Sequence, residues 1–383
     1  MRQIKGIVYT EAFRFEAGIL TIEDGRIKSV KPCSEEDLTE AERGQYILPG
    51  LVDIHLHGCA GHDFCDGTVT AMRGMASYEL SHGITTICPA TMTLPEETLM
   101  DICVTCASVA ETEFIQERIS LGDILQGIYL EGPFLSMEKR GAQNPAYIRK
   151  PDMEMLLRLQ RTAGGLIKIV AIAPEAEDAL KCIRSIKDNM RFSIAHTCAD
   201  YETAREAIKA GATHVTHLYT AMPPYLHREP GVIGAAAESD SVTVELICDG
   251  NHVHPSVVRN TFRLFGAERI VLVSDSIRGT GMDDGKYTLG GLTVWIKGGL
   301  ATLADGTLAG STMNLFECMR TAVRMGVTLE DAVRAATFNP AAVIGIDEAC
   351  GSLQAGKRAD ILITDKELNL REVIKSGITA MNR

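Results

Sequence analysis

The sequence predicts an α/β fold in which a (β/α)8 TIM-type barrel carries a small discontinuous β-sandwich domain built from the two termini. Three observations support this prediction. The chain has 383 residues, enough for a large barrel with a small satellite domain. Eight apolar runs of strand length alternate with helical segments, the number expected of a closed barrel. Both ends of the chain have the pattern of short strands joined by turns.

The barrel prediction depends on the eight apolar runs. In chain order they are YILPGLVDIH, ITTICPAT, LQGIYLEG, LIKIVAIAP, FSIAH, THVTHL, VTVELICDG and RIVLVSDS. Strands of a parallel barrel are buried on both faces, so continuous apolar runs are typical of them. Helical segments separate the runs, and TAREAIKAG, for example, ends at Gly211, which suits a helix C-cap. We therefore expect the barrel to occupy residues 50–345.

The remaining segments predict strands outside the barrel. Residues 1–49 contain an Asp-Gly hairpin signal at Asp24 and Gly25, and residues 346–383 have the same short-strand character. We expect these two ends to form the small β-domain together. Residues from about 282 to 308 also have a hairpin pattern, which predicts an insertion after the last barrel strand.

Composition and charge disfavour several functional classes. The net charge of −12 disfavours nucleic acids and anionic membranes as partners. No stretch approaches about 18 consecutive apolar residues, and the N-terminus lacks the apolar core of a secretory signal. Eleven cysteines fit reduced thiols in the cytoplasm, and the CxxC pair of Cys103 and Cys106 fits core packing better than redox or zinc chemistry. We therefore expect a cytoplasmic protein that binds neither nucleic acid nor membrane.

Ionisable side chains follow the apolar runs where the predicted strands end. They are His55, His57, Glu131, His196, His217 and Asp275. The carboxyl ends of barrel strands form the active-site face, so we expect these side chains to converge. The two-residue spacing of His55 and His57 predicts that both imidazoles lie on one face of a strand. His214 falls on the opposite side from His217, and we interpret it as structural.

Such a set of imidazoles and carboxylates favours a divalent metal. Neutral imidazoles suit zinc first, with iron, manganese, cobalt or nickel as alternatives. Glu131 alone would also fit a helix cap or an ion pair, and Asp275 alone would fit a turn cap. Beside the histidines, Glu131 is better interpreted as a metal-bridging carboxylate, and Asp275 as a further ligand and the general base facing an activated water. The prediction is one or two metal ions per chain.

The chain resembles the N-acetylglucosamine-6-phosphate deacetylases of the amidohydrolase superfamily along nearly its whole length. The matching motifs are PGLVDIHLHG, GIYLEGPFL, AHTCADYETAREAIKAGATHVTHLYTAM, HREPGVIGAA, CDGNHVHP, LVSDS and GTLAGS. The resemblance implies a metal-dependent cytoplasmic hydrolase of amino-sugar catabolism, which removes the acetyl group from N-acetylglucosamine 6-phosphate. It also implies a (β/α)8 barrel with a small β-domain and a homodimer.

The same resemblance implies roles for individual residues. The chain keeps the HxH pair, which implies a two-metal type with the ligands His55, His57, Glu131, His196 and His217. Asp275 matches the catalytic aspartate. Arg228 and His252 match phosphate-contacting positions, the arginine typically reaching in from the neighbouring subunit. The positions that match the lining of the sugar-phosphate site are Ala142, Thr220, Ala221, Leu308, Ala309 and Gly310.

Two positions depart from the family pattern. Gln143 stands where the family usually has a histidine that helps to polarise the acetamide carbonyl. A glutamine can still donate a hydrogen bond there, but it cannot become cationic. Thr220 stands where the family usually has an asparagine, and the threonine is a shorter donor near the phosphate. These departures keep N-acetylgalactosamine 6-phosphate open as an alternative substrate.

Two other functional readings stay open on the sequence. A cyclic amidohydrolase of the dihydroorotase type would share the fold, but Glu131 and the phosphate-matching Arg228 and His252 disfavour it. A catalytically silent sugar-phosphate sensor would share the binding site. Such a sensor would not need Asp275, because a pure binder has no use for a hydrolytic base.

Overall fold

Strands and helices alternate along the chain as the apolar runs predict. The computed structural model describes residues 1–109, 112–115 and 119–382. In chain order the strands are β1 (Arg2–Tyr9), β2 (Phe15–Glu23), β3 (Arg26–Pro32), β4 (Gln45–Pro49), β5 (Leu51–Asp53), β6 (Gly58–Cys59), β7 (His62–Asp63), β8 (Ile84–Ile87), β9 (Glu113–Ile115), β10 (Ile119–Ser120), β11 (Ile128–Leu130), β12 (Ile167–Ile172), β13 (Arg191–Ile194), β14 (Ala212–Val215), β15 (Thr243–Ile247), β16 (Ile270–Val273), β17 (Gly285–Leu289), β18 (Leu292–Lys297), β19 (Leu300–Thr302), β20 (Ile361–Asp365), β21 (Leu370–Lys375) and β22 (Ile378–Asn382). The helices are α1 (Glu40–Arg43), α2 (Val69–Ser81), α3 (Glu96–Ser108), α4 (Met153–Thr162), α5 (Ala179–Ile186), α6 (Tyr201–Ala210), α7 (Gly231–Ala237), α8 (Pro255–Phe265), α9 (Leu315–Arg324), α10 (Leu329–Ala336) and α11 (Phe338–Val343).

Eight parallel strands close into a barrel. β11 to β16 form one sheet in chain order, and β5 pairs in parallel with β8. A parallel bridge between Ala90 and Tyr129 joins the two sheets. The ring closes between the first and last strands, where the backbone N–H of Asp275 donates to the carbonyl of His55 at 2.9 Å. This arrangement confirms the predicted (β/α)8 barrel.

The barrel strands are apolar on both faces because each face is covered. On β12, Ile169 and Ala171 pack with the interior of the barrel, whereas Val170 and Ile172 pack with the surrounding helices. Both faces of a parallel strand are buried in this architecture, which is why the sequence shows continuous rather than alternating apolar runs. Each large aliphatic side chain buried in this way contributes about 1.5–3 kcal/mol. The interior is a packed core, so a ligand can enter only at the barrel ends.

Helix α6 illustrates how the sequence sets the boundaries of the outer helices. Asp200 is its N-cap, and its carboxylate accepts a hydrogen bond from the Thr203 N–H at 2.8 Å. The helix buries Ala204 and Ala207 against the barrel. It ends at Gly211, whose φ of 124° few other residues adopt readily. The predicted C-cap is therefore confirmed.

The two termini build one β-domain, as predicted. Its seven strands form a continuous sheet in the order β22-β21-β20-β4-β1-β2-β3. β4 pairs antiparallel with β20, so that Leu48 lies opposite Leu362. Buried side chains from both ends share one core, among them Ile4 and Ile361. The terminal strands therefore form one continuous seven-stranded sheet, where the sequence predicted a sandwich.

The predicted insertion after the last barrel strand is a small antiparallel sheet. Its strands β17, β18 and β19 are paired in chain order. Leu289 and Val294 of this sheet pack with Met92 and Ile277 on the barrel. The insertion therefore covers one side of the barrel mouth with apolar side chains.

The cysteines are unpaired, and the helices are short. All eleven cysteines are unpaired, and Cys103 and Cys106 pack in the core between barrel and helices. Within the described ranges, no helix combines the length and the apolar character that a membrane crossing requires. The longest, α2 and α3, have 13 residues each, whereas a span needs about 20.

Candidate metal centre and cleft

The six ionisable residues predicted at strand ends all lie just beyond the carboxyl ends of barrel strands. Glu131 follows β11 directly. His196, His217 and Asp275 each come two residues after a strand, and their φ angles are 41°, 25° and 49°. Non-glycine residues rarely adopt such left-handed backbone, which is found preferentially at functional sites. The chain turns sharply at each of these positions, and all three side chains line the barrel mouth.

The HxH pair reaches the same place by a different local structure from the one predicted. β5 ends at Asp53, so His55 and His57 lie in the segment after the strand and not on the strand itself. The rings nevertheless approach each other, with centroids 5.4 Å apart. Backbone bonding to the chain after β16 holds this segment, because the His57 N–H donates to the carbonyl of Ser276 at 2.7 Å.

Glu131 lies at the centre of the histidines. Its Oε1 atom is 3.0 Å from Nε2 of His217, 3.1 Å from Nε2 of His196 and 3.5 Å from Nε2 of His55. Its Oε2 atom is 3.3 Å from Nε2 of His57. Two groups of potential metal ligands therefore share this carboxylate, one with the HxH pair and one with His196 and His217. Asp275 closes the ring, with Oδ1 3.3 Å from Nε2 of His57.

In three histidines of the centre, the outer nitrogen, Nδ1, is held by a hydrogen bond. Nδ1 of His57 lies 3.2 Å from the carbonyl of Ala90, and Nδ1 of His196 lies 2.8 Å from the carbonyl of Lys139. Carbonyl oxygens only accept hydrogen bonds, so each Nδ1 carries a proton, and each Nε2 points to the centre, where it presents a lone pair to a cation once it is deprotonated. Nδ1 of His55 is held by a carboxylate, described below. Metal-binding histidines commonly donate their outer N–H to a carbonyl or a carboxylate in this way, which fixes the orientation of the ring.

The donor set fits a divalent cation. Nε2 of His55 is fully buried and makes no hydrogen bond with any described residue, which is costly unless another partner binds it. Nε2 of His196 and Nε2 of His217 face each other at 3.1 Å. Zinc–nitrogen bonds of about 2.0–2.1 Å in a tetrahedral site place neighbouring donors about 3.3 Å apart, close to these separations. These buried histidine and glutamate groups therefore suit a divalent metal ion.

The charges of the centre keep its carboxylates ionised. Burial raises the pKa of Glu131, but the facing imidazoles, His55 first, outweigh it and hold the pKa well below its usual value. Burial also raises the pKa of Asp275, but the hydrogen bond from His57 and the charges of His55 and His57 together outweigh it, so this pKa is lowered too. In turn, the carboxylates overcome burial and raise the pKa of His57 to about 10. The centre therefore attracts positive charge.

Gln143 is bound at both ends of its amide. Its Oε1 accepts a hydrogen bond from the backbone N–H of Thr93 at 2.7 Å, and its Nε2 donates to Oε2 of Glu131 at 2.6 Å. The residue is only 2% exposed. One N–H of the amide is therefore committed to the central carboxylate, and a single N–H is left for any group in the cleft.

A cleft of about 410 Å³ opens above the centre. It is lined by most of the residues predicted to contact a sugar phosphate, namely Ala142, Gln143, Thr220, Ala221, His252, Leu308 and Gly310. Ala309 is fully buried behind this lining. Met92 and Leu289 add an apolar wall. Arg228 is the exception among the predicted residues, because it is exposed and does not line the cleft of its own chain.

His252 supplies positive charge to the cleft. Its Nδ1 lies 2.8 Å from Oδ2 of Asp249, and Oδ1 of Asp249 accepts the His252 backbone N–H at 2.9 Å. Burial lowers the pKa of His252, but the adjacent carboxylate outweighs it and raises this pKa above the usual value. A cationic imidazole beside the cleft favours an anionic group.

Two residues of the centre escaped the sequence analysis. Asp249 orients His252, and Glu245 contacts His55, His214 and His217 from beneath. Both lie in the run VTVELICDG, which the pattern indicates only as an apolar strand. The available signal was a glutamate in the middle of a strand buried on both faces, because a charge there requires partners.

Comparisons with known proteins agree with this geometry. The model of the Amidohydrolase family matches residues 46–382. The chain is 38% identical to the N-acetylglucosamine-6-phosphate deacetylase of Bacillus subtilis (strain 168), covering 97% of this chain and 94% of the relative. It is 34% identical to the N-acetylgalactosamine-6-phosphate deacetylase of Escherichia coli O157:H7, covering 94% and 93%.

A solved structure extends the comparison to three dimensions. It is an aspartate-to-alanine mutant of N-acetyl-D-glucosamine-6-phosphate deacetylase from Mycobacterium smegmatis, in complex with N-acetyl-D-glucosamine-6-phosphate. The TM-score is 0.90 at 34% identity, and the match covers 99% of both chains. The chain therefore belongs to the amidohydrolase family, in its N-acetylglucosamine-6-phosphate deacetylase group, because its relatives, its barrel and its buried histidine–glutamate centre all agree.

Proposed function

We propose that this chain hydrolyses the acetamide of N-acetyl-D-glucosamine 6-phosphate to D-glucosamine 6-phosphate and acetate. One observation carries the proposal: Glu131 is shared by two groups of histidines at the base of a cleft whose cationic side chain, His252, suits a phosphate. Asp275 at the same base is an ionised carboxylate suited to proton transfer. The match to a relative of this activity over nearly the whole chain supports the assignment.

The proposed metal ligands are the central carboxylate, the four histidines around it and Asp275. They are His55, His57, Glu131, His196, His217 and Asp275. We propose one or two divalent ions, zinc first, with iron, manganese, cobalt or nickel as alternatives. When bound, such an ion supplies a Lewis acid that polarises the amide carbonyl and makes water more acidic.

The residues of the chain then divide the remaining work. Asp275 accepts a proton from the attacking water and returns it to the departing amine nitrogen. Gln143 holds Glu131 through one N–H, and its second N–H is available to the acetamide oxygen. The proposed sugar contacts lie along the cleft wall, at Ala142, Thr220, Ala221, Leu308, Ala309 and Gly310.

For the phosphate we propose two cationic partners. His252 is in the cleft, where its contact with Asp249 raises the pKa of the imidazole and favours its cationic form. Arg228 lies outside the cleft of its own chain, so we propose that it reaches the site of a second copy in a homodimer. The exposed side chains of Tyr225 and Leu226 beside it support an interface there, because adjacent exposed apolar groups favour association. The unpaired cysteines fit a reducing compartment, and we place the reaction in the cytoplasm.

A substrate comparison tests the proposed activity. We expect the zinc-loaded protein to release acetate from N-acetylglucosamine 6-phosphate with a higher kcat/KM than from its galacto epimer, and activity to disappear after chelation of the metal. The galacto epimer is the alternative substrate, which the Escherichia coli relative and the Gln143 and Thr220 positions favour. A reversed order of kcat/KM would support that alternative, and acetate release from neither sugar would refute both.

The phosphate role of Arg228 predicts a split between substrates. We expect Arg228→Ala to raise KM for N-acetylglucosamine 6-phosphate about 10- to 100-fold, since a hydrogen bond to a charged group is worth about 1.5–3 kcal/mol. The KM for unphosphorylated N-acetylglucosamine should not change. Arg263→Ala, on the exposed face of α8, is the matched control. Equal effects of Arg228→Ala on both sugars would contradict the role.

A further inference from the structure

Glu245 is a carboxylate inside the barrel, beneath the metal centre. It is completely buried. Its Oε2 atom lies 2.8 Å from Nδ1 of His55 and accepts the backbone N–H of His217 at 3.0 Å. Its Oε1 atom lies 3.0 Å from Nε2 of His214. A buried charge is costly, and these three donors compensate for it.

The position of Glu245 on its strand explains why it reaches the centre. On β15, the neighbouring Val244 and Leu246 pack in the outer layer of barrel and helices, whereas Ile247 packs in the barrel interior. Side chains alternate along a strand, so Glu245 shares the inward face with Ile247. The carboxylate is therefore fixed by the barrel wall and does not depend on a loop.

His214 fixes Glu245 from the other side. Its Nδ1 lies 2.6 Å from Oγ1 of Thr243, and its Nε2 lies against the carboxylate. The ring is completely buried and is not part of the lining of the cleft above the centre. The histidine that the sequence analysis interpreted as structural thus holds Glu245 in place.

The contacts of Glu245 connect the two ligand groups of the centre. It binds the side chain of His55, which belongs to the HxH group, and the backbone of His217, which belongs to the other group. The outer nitrogens of His57 and His196 face neutral carbonyls, whereas that of His55 faces a charge. A carboxylate behind a metal-binding imidazole orients the ring and makes its other nitrogen a stronger ligand.

We propose that Glu245, held by His214, is a positioning residue that aligns His55 with His217 and thereby sets the affinity of the centre for its metal. This inference rests on the proposed metal-dependent function. Glu245 itself lies behind the ligands and does not touch the cleft. Second-shell partners of this kind are worth about 10- to 100-fold in metal affinity.

Zinc titration of Glu245→Gln tests the role. The substitution keeps the shape of the side chain and removes its charge. We expect the Kd for Zn²⁺, measured by chelator competition in the absence of substrate, to rise about 10- to 100-fold. At saturating Zn²⁺, KM for the substrate should equal that of the wild type, because no cleft residue has changed.

Glu79→Gln is the control for replacing a buried glutamate on another element. Glu79 is also completely buried, on α2, and neither of its oxygens has a hydrogen-bond partner among the described residues. We expect this variant to keep the wild-type Kd for Zn²⁺. An unchanged Kd in Glu245→Gln, or an equal loss of affinity in both variants, would overturn the proposed role.

A second variant decides the matter if Glu245→Gln does not fold. His214→Phe keeps the bulk of the ring, leaves the carboxylate in place and removes the donor to its Oε1 atom, so a Kd for Zn²⁺ about two- to tenfold higher is expected. An unchanged Kd would refute the inference. The result is independent of the proposed reaction, because a protein that binds Zn²⁺ as described but releases no acetate would refute only the reaction.

Discussion

Asp275→Asn should lower kcat for acetate release from N-acetylglucosamine 6-phosphate by about 100- to 10,000-fold, the usual contribution of a general base. This corresponds to about 3–5 kcal/mol of transition-state stabilisation. The side chain lies at the base of the cleft, 3.3 Å from Nε2 of His57. Its lowered pKa keeps the carboxylate ionised, which is the form that accepts a proton. Asparagine keeps an oxygen at this position but cannot take up that proton.

Two measurements separate loss of the base from loss of the metal. The metal content of Asp275→Asn, determined by elemental analysis, should stay close to that of the wild type, because the other five proposed ligands, Glu131 and the four histidines around it, remain. Asp240→Asn, an exposed position far from the described ligands along the chain, should keep the wild-type kcat. An Asp275→Asn protein with wild-type kcat would show that another group accepts the proton.

Glu131→Gln should weaken zinc binding more than the substitution of any residue that contacts a metal ligand without binding the metal. Outer partners of metal ligands are worth about 10- to 100-fold, and Glu131 faces all four histidine nitrogens directly. We therefore expect a loss of more than about 100-fold in affinity, with loss of measurable acetate release. The zinc content after gel filtration and a Zn²⁺ titration provide the measurement.

Thermal unfolding supplies an independent readout for Glu131. A ligand that binds only the folded state stabilises it by about 2.7 kcal/mol at 100 times its Kd. The Tm of the wild type should therefore rise on addition of Zn²⁺, and that of Glu131→Gln should not. Glu138→Gln, an exposed residue on the same loop, should respond like the wild type. Full zinc content in Glu131→Gln would contradict the proposed role of Glu131 as the central metal ligand.

The barrel and the ring of ionisable residues were predictable because both leave a local signal. Continuous apolar runs are required where both faces of a strand are covered, and β12 shows this arrangement. An ionisable residue directly after such a run, like Glu131 after β11, then marks the active-site end of the strand. Since the barrel brings all strand ends together, residues more than 200 positions apart could be placed in one site.

What the sequence left out depends on contacts between distant residues. The orientation of Gln143 depends on the backbone of Thr93, 50 residues away, and no local pattern indicates that contact. Glu245 lies within an apolar run, and its partners come from two other strand ends. The HxH pair was placed on a strand by its spacing, but β5 and its pairing with β8 end at Asp53. Pairing of whole strands can be predicted from periodicity, whereas these single contacts cannot.

The pairing of β4 with β20 has a consequence for how the protein is made on the ribosome. Gln45 lies opposite Asp365, so the partner of β4 is synthesised about 320 residues later. At about 5–20 residues per second, β4 waits roughly 15–60 s for that partner. During this interval its unpaired edge is exposed to other nascent chains, and cellular chaperones have their best opportunity to protect it.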